Sequence, residues 1–263
     1  MSMGRLSISG EDQFGRYVAA HHQRVVEDER RVPIDQLLSR VRPSNRYLIS
    51  ALAQERFHMV AEYKTEEPGE RSLGPASSEG EVLSAVEQYG SALAVHSAPE
   101  YGGSPALIKR MRNICDLPII CADVILRPYQ VVQARLWGAD GITLYPGMID
   151  DHRHFGEMLS HAHILNMGAI VVVQNEEELD AALRVRAQII ALSARPLGGK
   201  KPDKKVLRHL MDRCPADRTR LAVFGANEAK LMEELREELD GILVGEAIMT
   251  AKKPDAACRR WGF

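Results

Sequence analysis

Two charged side chains in the stretch AEYK, Glu62 and Lys64, have types and a spacing suited to proton transfer. Residues two apart in an extended strand lie on the same face, so the carboxylate and the ammonium face one cavity. A buried pair of this kind shifts the protonation equilibria of both groups and can act as acid and base. A structural ion pair that only braces the strand end is the alternative interpretation.

A second set of polar groups ends the next two apolar runs. His96 and Ser97 close the run SALAVHS, and Asp123 closes LPIICAD, with Cys121 two residues before it. An imidazole titrates near neutral pH, so His96 is a candidate acid or base, although a hydrogen-bonded wall residue fits the position too. We predict catalytic roles for His96 and Asp123. Nothing in the sequence lowers the thiol pKa of Cys121, so it is not predicted to be a nucleophile.

Apolar, β-branched runs that must position these groups alternate with amphipathic helical stretches from residue 57 onward. Near-continuous apolar strands that alternate with helices predict a parallel sheet, and eight repeats close into a (β/α)₈ barrel, the α/β TIM-barrel fold. A doubly wound open sheet is the competing architecture, but no glycine-rich phosphate turn follows the first run. The eight runs are 57–64, 91–97, 117–123, 140–145, 168–174, 187–194, 218–225 and 241–246.

The domain organisation follows from the length of 263 residues, of which 45% are hydrophobic and 27% charged. We predict one domain over residues 1–263, with a helical extension at 1–56 and the barrel at 57–263. The extension contains two helical stretches separated near Pro33, which we expect to cover the bottom or the rim of the barrel. Ser78, Asn175 and Asn227 are predicted helix caps.

Charge and cysteine content narrow the class of protein. The formal charge of −2 gives no electrostatic reason to expect nucleic acid or an anionic membrane as a partner. The four cysteines are widely spaced, and no apolar run approaches the length of a membrane span. No metal or cofactor is predicted, because the histidines of the stretch 152–163 lack a zinc spacing. We expect a cytoplasmic protein, monomeric or homodimeric, that takes a small anionic substrate.

The order of several short motifs resembles that of the indole-3-glycerol-phosphate synthase family. These are AEYK in the first strand, YGGS after the second, LPIICADVILRPYQVVQARLWGAD, NEEEL after the fifth and LVGEAIM at the eighth. The resemblance implies closure of the indole ring of carboxyphenylamino-deoxyribulose phosphate, with loss of CO₂ and water. It also implies a lysine general acid in the third strand, assisted by a glutamate and lysine in the first, a glutamate in the fifth, an asparagine in the sixth and a serine in the seventh.

This sequence keeps some residues of that pattern and lacks others. The residues that match are Glu62, Lys64, Asp123, Arg195, Gly225 and Gly245, and Pro68 is kept in the loop after the first strand. The departures are Ala122 for the lysine acid, Val172 for the second glutamate, Ser193 for the asparagine and Phe224 for the serine. A positioned general acid contributes about 10²–10⁴-fold, and alanine has no proton to give. The reaction as usually described cannot run on such a site.

Substrate binding is predicted at the remaining strand ends. The glycines of FGAN and VGEA suit a backbone cradle for phosphate, Arg195 suits an anionic group and Phe224 an apolar wall. The predicted substrate-binding residues are Arg195, Ser193, Tyr101, Phe224, Gly225, Gly245 and Glu246. Three functions stay open: a related lyase or ring-closing enzyme with an altered site, a barrel that binds or regulates without turnover, and a true synthase with rearranged catalytic groups.

Overall fold

Eight parallel strands form a closed barrel in the order of the chain, which confirms the predicted fold. The computed structural model describes residues 13–66, 73, 76–149, 152–194 and 203–263. Each strand lies inside one of the eight apolar runs of the sequence. The strands are β1 (His58–Tyr63), β2 (Ala92–His96), β3 (Ile119–Ala122), β4 (Gly141–Leu144), β5 (Gly168–Val173), β6 (Ile189–Ser193), β7 (Thr219–Phe224) and β8 (Gly241–Val244).

Helices lead into the barrel and connect its strands. In chain order they are α1 (Gln13–Arg31), α2 (Ile34–Leu38), α3 (Leu48–Leu52), α4 (Glu79–Tyr89), α5 (Pro105–Ile114), α6 (Pro128–Trp137), α7 (His152–Ile164), α8 (Glu176–Arg184), α9 (Lys204–Arg213), α10 (Ala229–Leu235), α11 (Glu246–Met249) and α12 (Pro254–Arg260). Among the helices that the structure describes, none is long and apolar enough to cross a membrane.

Side chains alternate between the inside of the barrel and the layer under the helices, as the pleat of a strand requires. The inward set packs into one buried group, here called the inner barrel cluster, while the outward set forms the larger core beneath the helices. The inner barrel cluster consists of Leu48, Leu52, Val60, Ala92, Ala94, Ile120, Ala122, Ile170, Val172, Ile189, Ala191, Leu221 and Leu243. The barrel is therefore a filled core that ends in the groups at its mouth.

Helix α3 closes the bottom of the barrel. Leu48 and Leu52 belong to the inner barrel cluster, and Leu48 sits against the first residues of β4 and β5. A Cβ at Gly141 would lie 2.5 Å from Leu48 Cδ2, and one at Gly168 would lie 2.9 Å from Leu48 Cβ, so both strand starts need glycine. The predicted second N-terminal helical stretch is in fact two short helices, α2 and α3, since the segment between them contains Pro43.

Helix α1 lies against α6, near the end of β3. The Gln130 amide of α6 donates to His21 Nε2 at 2.9 Å, and Arg127 Nε donates to Glu29 Oε2 at 2.9 Å. The N-terminal extension therefore covers both ends of the barrel, with α3 at the bottom and α1 beside the mouth.

The predicted helix caps are confirmed at two positions and wrong at a third. Ser78 forms a capping box with Glu81, and Asn175 accepts from the backbone N–H of Glu178. Asn227 does not cap a helix, because α10 begins two residues later, at Ala229, without a side-chain cap.

Candidate active site

Glu62 is the centre of a buried polar group at the mouth of the barrel, the edge formed by the carboxyl ends of the strands. Its Oε2 lies 3.2 Å from Lys64 Nζ, and its Oε1 lies 3.0 Å from His96 Nε2. The three side chains are between 8% and 16% exposed, so little water screens their charges. Strands β1 and β2, which are adjacent in the barrel, thus bring together three of the predicted catalytic residues.

The charge state of Glu62 is set by its neighbours. Burial opposes ionisation, but the positive charge of Lys64 and the hydrogen bond from His96 outweigh burial and hold the pKa of Glu62 well below its ordinary value of 4.5. Glu62 is therefore a carboxylate at any pH at which the protein works. Its two oxygens are both engaged, so it serves to hold the ammonium and the imidazole in place.

The second ring nitrogen of His96, Nδ1, is not engaged by Glu62. Its ring stacks on that of Tyr101 with 4.3 Å between centroids, and its Nδ1 is buried with no hydrogen-bond partner in the described part of the chain. In the strand register His96 pairs with Ala122 of β3. The imidazole thus lies beside the position where the resemblance expects a lysine, which the sequence alone did not indicate.

Gly245 fits the site for a reason other than phosphate binding. A Cβ at this position would lie 2.9 Å from both the backbone oxygen and Oε2 of Glu62, so any side chain would collide with the central carboxylate. Glu246 follows as the first residue of α11. The glycine at the end of β8 is what allows Glu62 to reach its position.

Asp123 lies apart from the Glu62 group. It accepts a hydrogen bond from Ser97 Oγ and a second one, at 2.7 Å, from the backbone N–H of Val124. Ser97, Cys121 and Asp123 line a cavity of about 250 Å³ beneath α1, which none of Glu62, Lys64 and His96 lines. The bonds of Asp123 thus brace the ends of β2 and β3.

Cys121 lines the same cavity and is not activated there. Burial, together with the charge of Asp123, raises the pKa of the Cys121 thiol far above its ordinary value. A thiol in this state is a poor nucleophile, in line with the sequence analysis.

The other side of the mouth is apolar. Ala122 and Val172 belong to the inner barrel cluster, and Tyr145, at the end of β4, packs against it. Tyr145 also packs against a small group that we call the lid patch, which consists of Ala98, Val124 and Met148 with Val18, Tyr101, Leu126 and Tyr145 against them. Tyr145 is among neither the predicted catalytic nor the predicted substrate-binding residues, although its position at the end of the run DGITLY makes it a strand-end candidate.

The prediction that Phe224 forms a wall of the site is wrong. On β7 the residues that join or pack against the inner barrel cluster are Leu221 and Val223, so Phe224 faces the opposite side. It is buried in the outer core, and its ring lies 5.9 Å from that of Trp261. A shift of one residue along a strand exchanges the two faces, which is why an alignment of motifs misplaced the side chain.

One backbone amide of the predicted phosphate cradle already has a hydrogen-bond partner within the protein. The backbone N–H of Gly225 donates to Glu228 Oε2 at 2.8 Å, so a carboxylate of the same loop takes this amide. Ser193 is buried at the end of β6, in register with Val223. Arg195 and Pro68 lie outside the residues that the structure describes.

A barrel of this topology with a charged mouth is the architecture of a large class of enzymes, and comparison with known proteins identifies the family. The profile of the family Indole-3-glycerol phosphate synthase matches residues 14–261. The chain belongs to the indole-3-glycerol phosphate synthase family.

Individual relatives agree with this assignment. The indole-3-glycerol phosphate synthase of Lachnospira eligens is 29% identical over 260 residues, which cover 95% of this chain and 94% of that protein. The protein of the same name from Parafrankia sp. is 31% identical over 232 residues, 86% of either chain. The tryptophan biosynthesis protein TrpCF of Yersinia pestis is 27% identical over 229 residues, 87% of this chain and 48% of that protein. The chain thus spans about half the length of the TrpCF relatives.

Proposed function

We propose that the chain is an indole-3-glycerol-phosphate synthase with rearranged catalytic groups. The observation that carries the proposal is the Glu62 group, in which Lys64 and His96 flank one carboxylate beside the vacant position of Ala122. The names of the relatives that match nearly the whole chain support the same activity. The proton transfers that the family pattern assigns to the third and fifth strands are carried out here by Lys64 after β1 and by His96 of β2.

Lys64 supplies the first proton in this scheme. Closure of the five-membered ring joins the carboxyl-bearing aryl carbon to the keto carbon and places negative charge on the keto oxygen. The ammonium of Lys64, held by Glu62 at 3.2 Å, gives that oxygen a proton. Loss of CO₂ then restores the aromatic ring, and Lys64 regains a proton from solvent, which balances the net uptake of one proton in the reaction.

His96 serves the dehydration that follows. As an imidazolium it gives a proton from Nδ1 to the departing hydroxyl, and as a neutral imidazole it removes a proton from the new ring through the same nitrogen. Glu62 holds Nε2 throughout at 3.0 Å, so the ring keeps one orientation. His96 ends the cycle in the state in which it began.

Substrate binding divides between apolar and charged contacts. The half-buried members of the lid patch, among them Leu126, Tyr145 and Tyr101, offer an apolar surface for the aryl ring, and Tyr101 is stacked on His96. Ser193, at the end of β6, and Arg195, two residues later in the sequence, are proposed to hold hydroxyl and anionic groups of the substrate. Asp123 is proposed to act indirectly, because it positions Ser97 beside the mouth.

Turnover of carboxyphenylamino-deoxyribulose phosphate by the purified chain tests the proposal. We expect indole-3-glycerol phosphate to accumulate at a rate typical of enzymes, on the order of 1 s⁻¹ or above. Replacement of His96 by Gln should slow the reaction by about 10²-fold. Binding of a substrate analogue without any turnover would instead support a barrel that binds without catalysis.

A second candidate is the same chemistry on a substrate without phosphate. The observation in its favour is the Glu228 carboxylate, which takes the Gly225 amide at 2.8 Å and would repel a phosphate. A preference for the dephosphorylated form of the substrate in kcat/KM would favour this candidate. A preference for the phosphorylated form would favour the synthase.

A further inference from the structure

Tyr145 occupies the place where two catalytic side chains of the family pattern are absent. It follows β4, which pairs with β3 on one side and β5 on the other. Ala122, the last residue of β3, and Val172, in β5, stand for the lysine and the glutamate of the family pattern. The tyrosine ring packs against the inner barrel cluster that contains both of them, so it is placed to use the volume that they leave.

The ring also reaches the surface proposed to receive the substrate. Tyr145 packs against the lid patch as well as the inner barrel cluster. Among the described hydrophobic residues, it is the one that packs against both groups. Its side chain therefore connects the floor of the mouth to the apolar surface beneath α1. A substrate whose aryl ring lies on the lid patch would bring its keto group towards the phenol.

The phenol keeps its proton under all working conditions. Burial raises the pKa of Tyr145 far above its ordinary value, and the negative charge of Glu62 raises it further. A neutral phenol is a hydrogen-bond donor, and it does not act as a base.

We infer that Tyr145 is a catalytic residue that donates a hydrogen bond to the keto oxygen of the substrate as the ring closes. This inference rests on the proposed function and adds to it a group that replaces part of what Ala122 removed. When the new carbon–carbon bond forms, the π electrons of the keto group move onto the oxygen. Tyr145 stabilises that charge while the proton itself comes from Lys64, so the phenol is neither consumed nor ionised.

Replacement of Tyr145 by Phe tests the inference, because it removes the hydroxyl and keeps the ring. We expect kcat and kcat/KM to fall together by about 10²-fold, with KM unchanged, since the hydrogen bond strengthens only in the transition state. Tyr63→Phe is the matched control: Tyr63 ends β1, faces the outer core and donates to Glu79 Oε2 at 3.1 Å. We expect this control to keep the activity of the parent. Equal activity of Tyr145→Phe and the parent would overturn the inference.

An analogue in which the keto group is reduced to an alcohol separates this inference from the proposed function, because its tetrahedral carbon resembles the ring-closed state in which the hydrogen bond is strong. If the parent chain does not turn over carboxyphenylamino-deoxyribulose phosphate, the proposed function fails, and calorimetric binding of the analogue then decides the role of Tyr145. Binding at least 10-fold weaker to Tyr145→Phe than to the parent would support a hydrogen bond to this oxygen. Equal affinity, or no binding to the parent, would reject it.

Discussion

Two buried carboxylates, Asp140 at the bottom of the barrel and Glu62 at its mouth, have different hydrogen-bond partners. At the bottom, Asp140 accepts from Arg135 Nη1 at 2.9 Å and Arg112 Nη1 at 3.2 Å. It also accepts from Ser44 Oγ at 2.6 Å and from the backbone N–H of Ile119 at 3.0 Å. At the mouth, Glu62 is held by Lys64 and His96 alone among the side chains that the structure describes.

The difference between them lies in what their partners can do. Arginine, serine and a backbone amide keep their protons at working pH, so the Asp140 network can only hold the bottom of the barrel together. Lysine and histidine exchange protons, and His96 keeps Nδ1 buried with no hydrogen bond in the described residues. We propose that the nature of the partners, and not burial, separates a structural carboxylate from a functional one in this fold.

Replacement of Lys64 by Met should show the largest effect on the mouth. We expect kcat to fall by about 10²–10⁴-fold, because the proton donor for the keto oxygen is lost. Steady-state assays of the parent and the variant measure the loss. Lys109→Met, at an exposed position of α5, is the control and should keep parental activity. Unchanged kcat in Lys64→Met would show that the Glu62 group, like the Asp140 network, has only a structural role.

Replacement of Asp140 by Ala should show the largest effect on stability. Two buried arginine contacts would lose their carboxylate, and we expect unfolding to become easier by about 3–5 kcal/mol. Urea unfolding measures the change. Asp180→Ala removes an exposed carboxylate that pairs with Arg213 and should cost less than about 1 kcal/mol. Loss of activity in correctly folded Asp140→Ala protein would contradict the purely structural role that we assign to the bottom of the barrel.

Acid sensitivity should reveal the ion pair at the mouth. Because the folded-state pKa of Glu62 is lowered, its contribution to stability is present above about pH 4.5 and is lost as the pH falls through the folded value. The free energy of unfolding of the parent should therefore fall more between pH 5 and 3 than that of Glu62→Gln, by on the order of 2 kcal/mol. Glu55→Gln, at an exposed position, should behave like the parent. Parallel profiles of the parent and Glu62→Gln would contradict the predicted direction.

Replacement of Glu228 by Ala should show the smallest effect. It frees the Gly225 amide and removes a negative charge, so we expect inorganic phosphate to bind about 5-fold more tightly, roughly 1 kcal/mol. Calorimetry with phosphate measures this change, and Glu233→Ala, at an exposed position of α10, is the control. Unchanged phosphate affinity would mean that no anion uses the Gly225 amide.

Local patterns anticipated most of the fold. All eight strands lie within the predicted runs, and Ser78 and Asn175 cap the helices that their positions indicated. These features depend on residues near each other in the sequence, where apolar periodicity and capping chemistry act directly. The side chain of Phe224 was assigned to the wrong face of β7. A shift of one residue along a strand changes the face, and the order of motifs does not fix the alignment to a single residue.

The sequence by itself determined the barrel, the family and the presence of Glu62 and Lys64 on one face of β1. Only the tertiary structure decided that His96 hydrogen-bonds to Glu62, that Asp123 accepts a hydrogen bond from Ser97 and that Tyr145 packs against the inner barrel cluster. Strand pairing across the closed sheet sets these neighbours, and their sequence separation carries no local signal. Chemistry at the mouth therefore depends on contacts between strands, whereas the architecture depends on patterns within them.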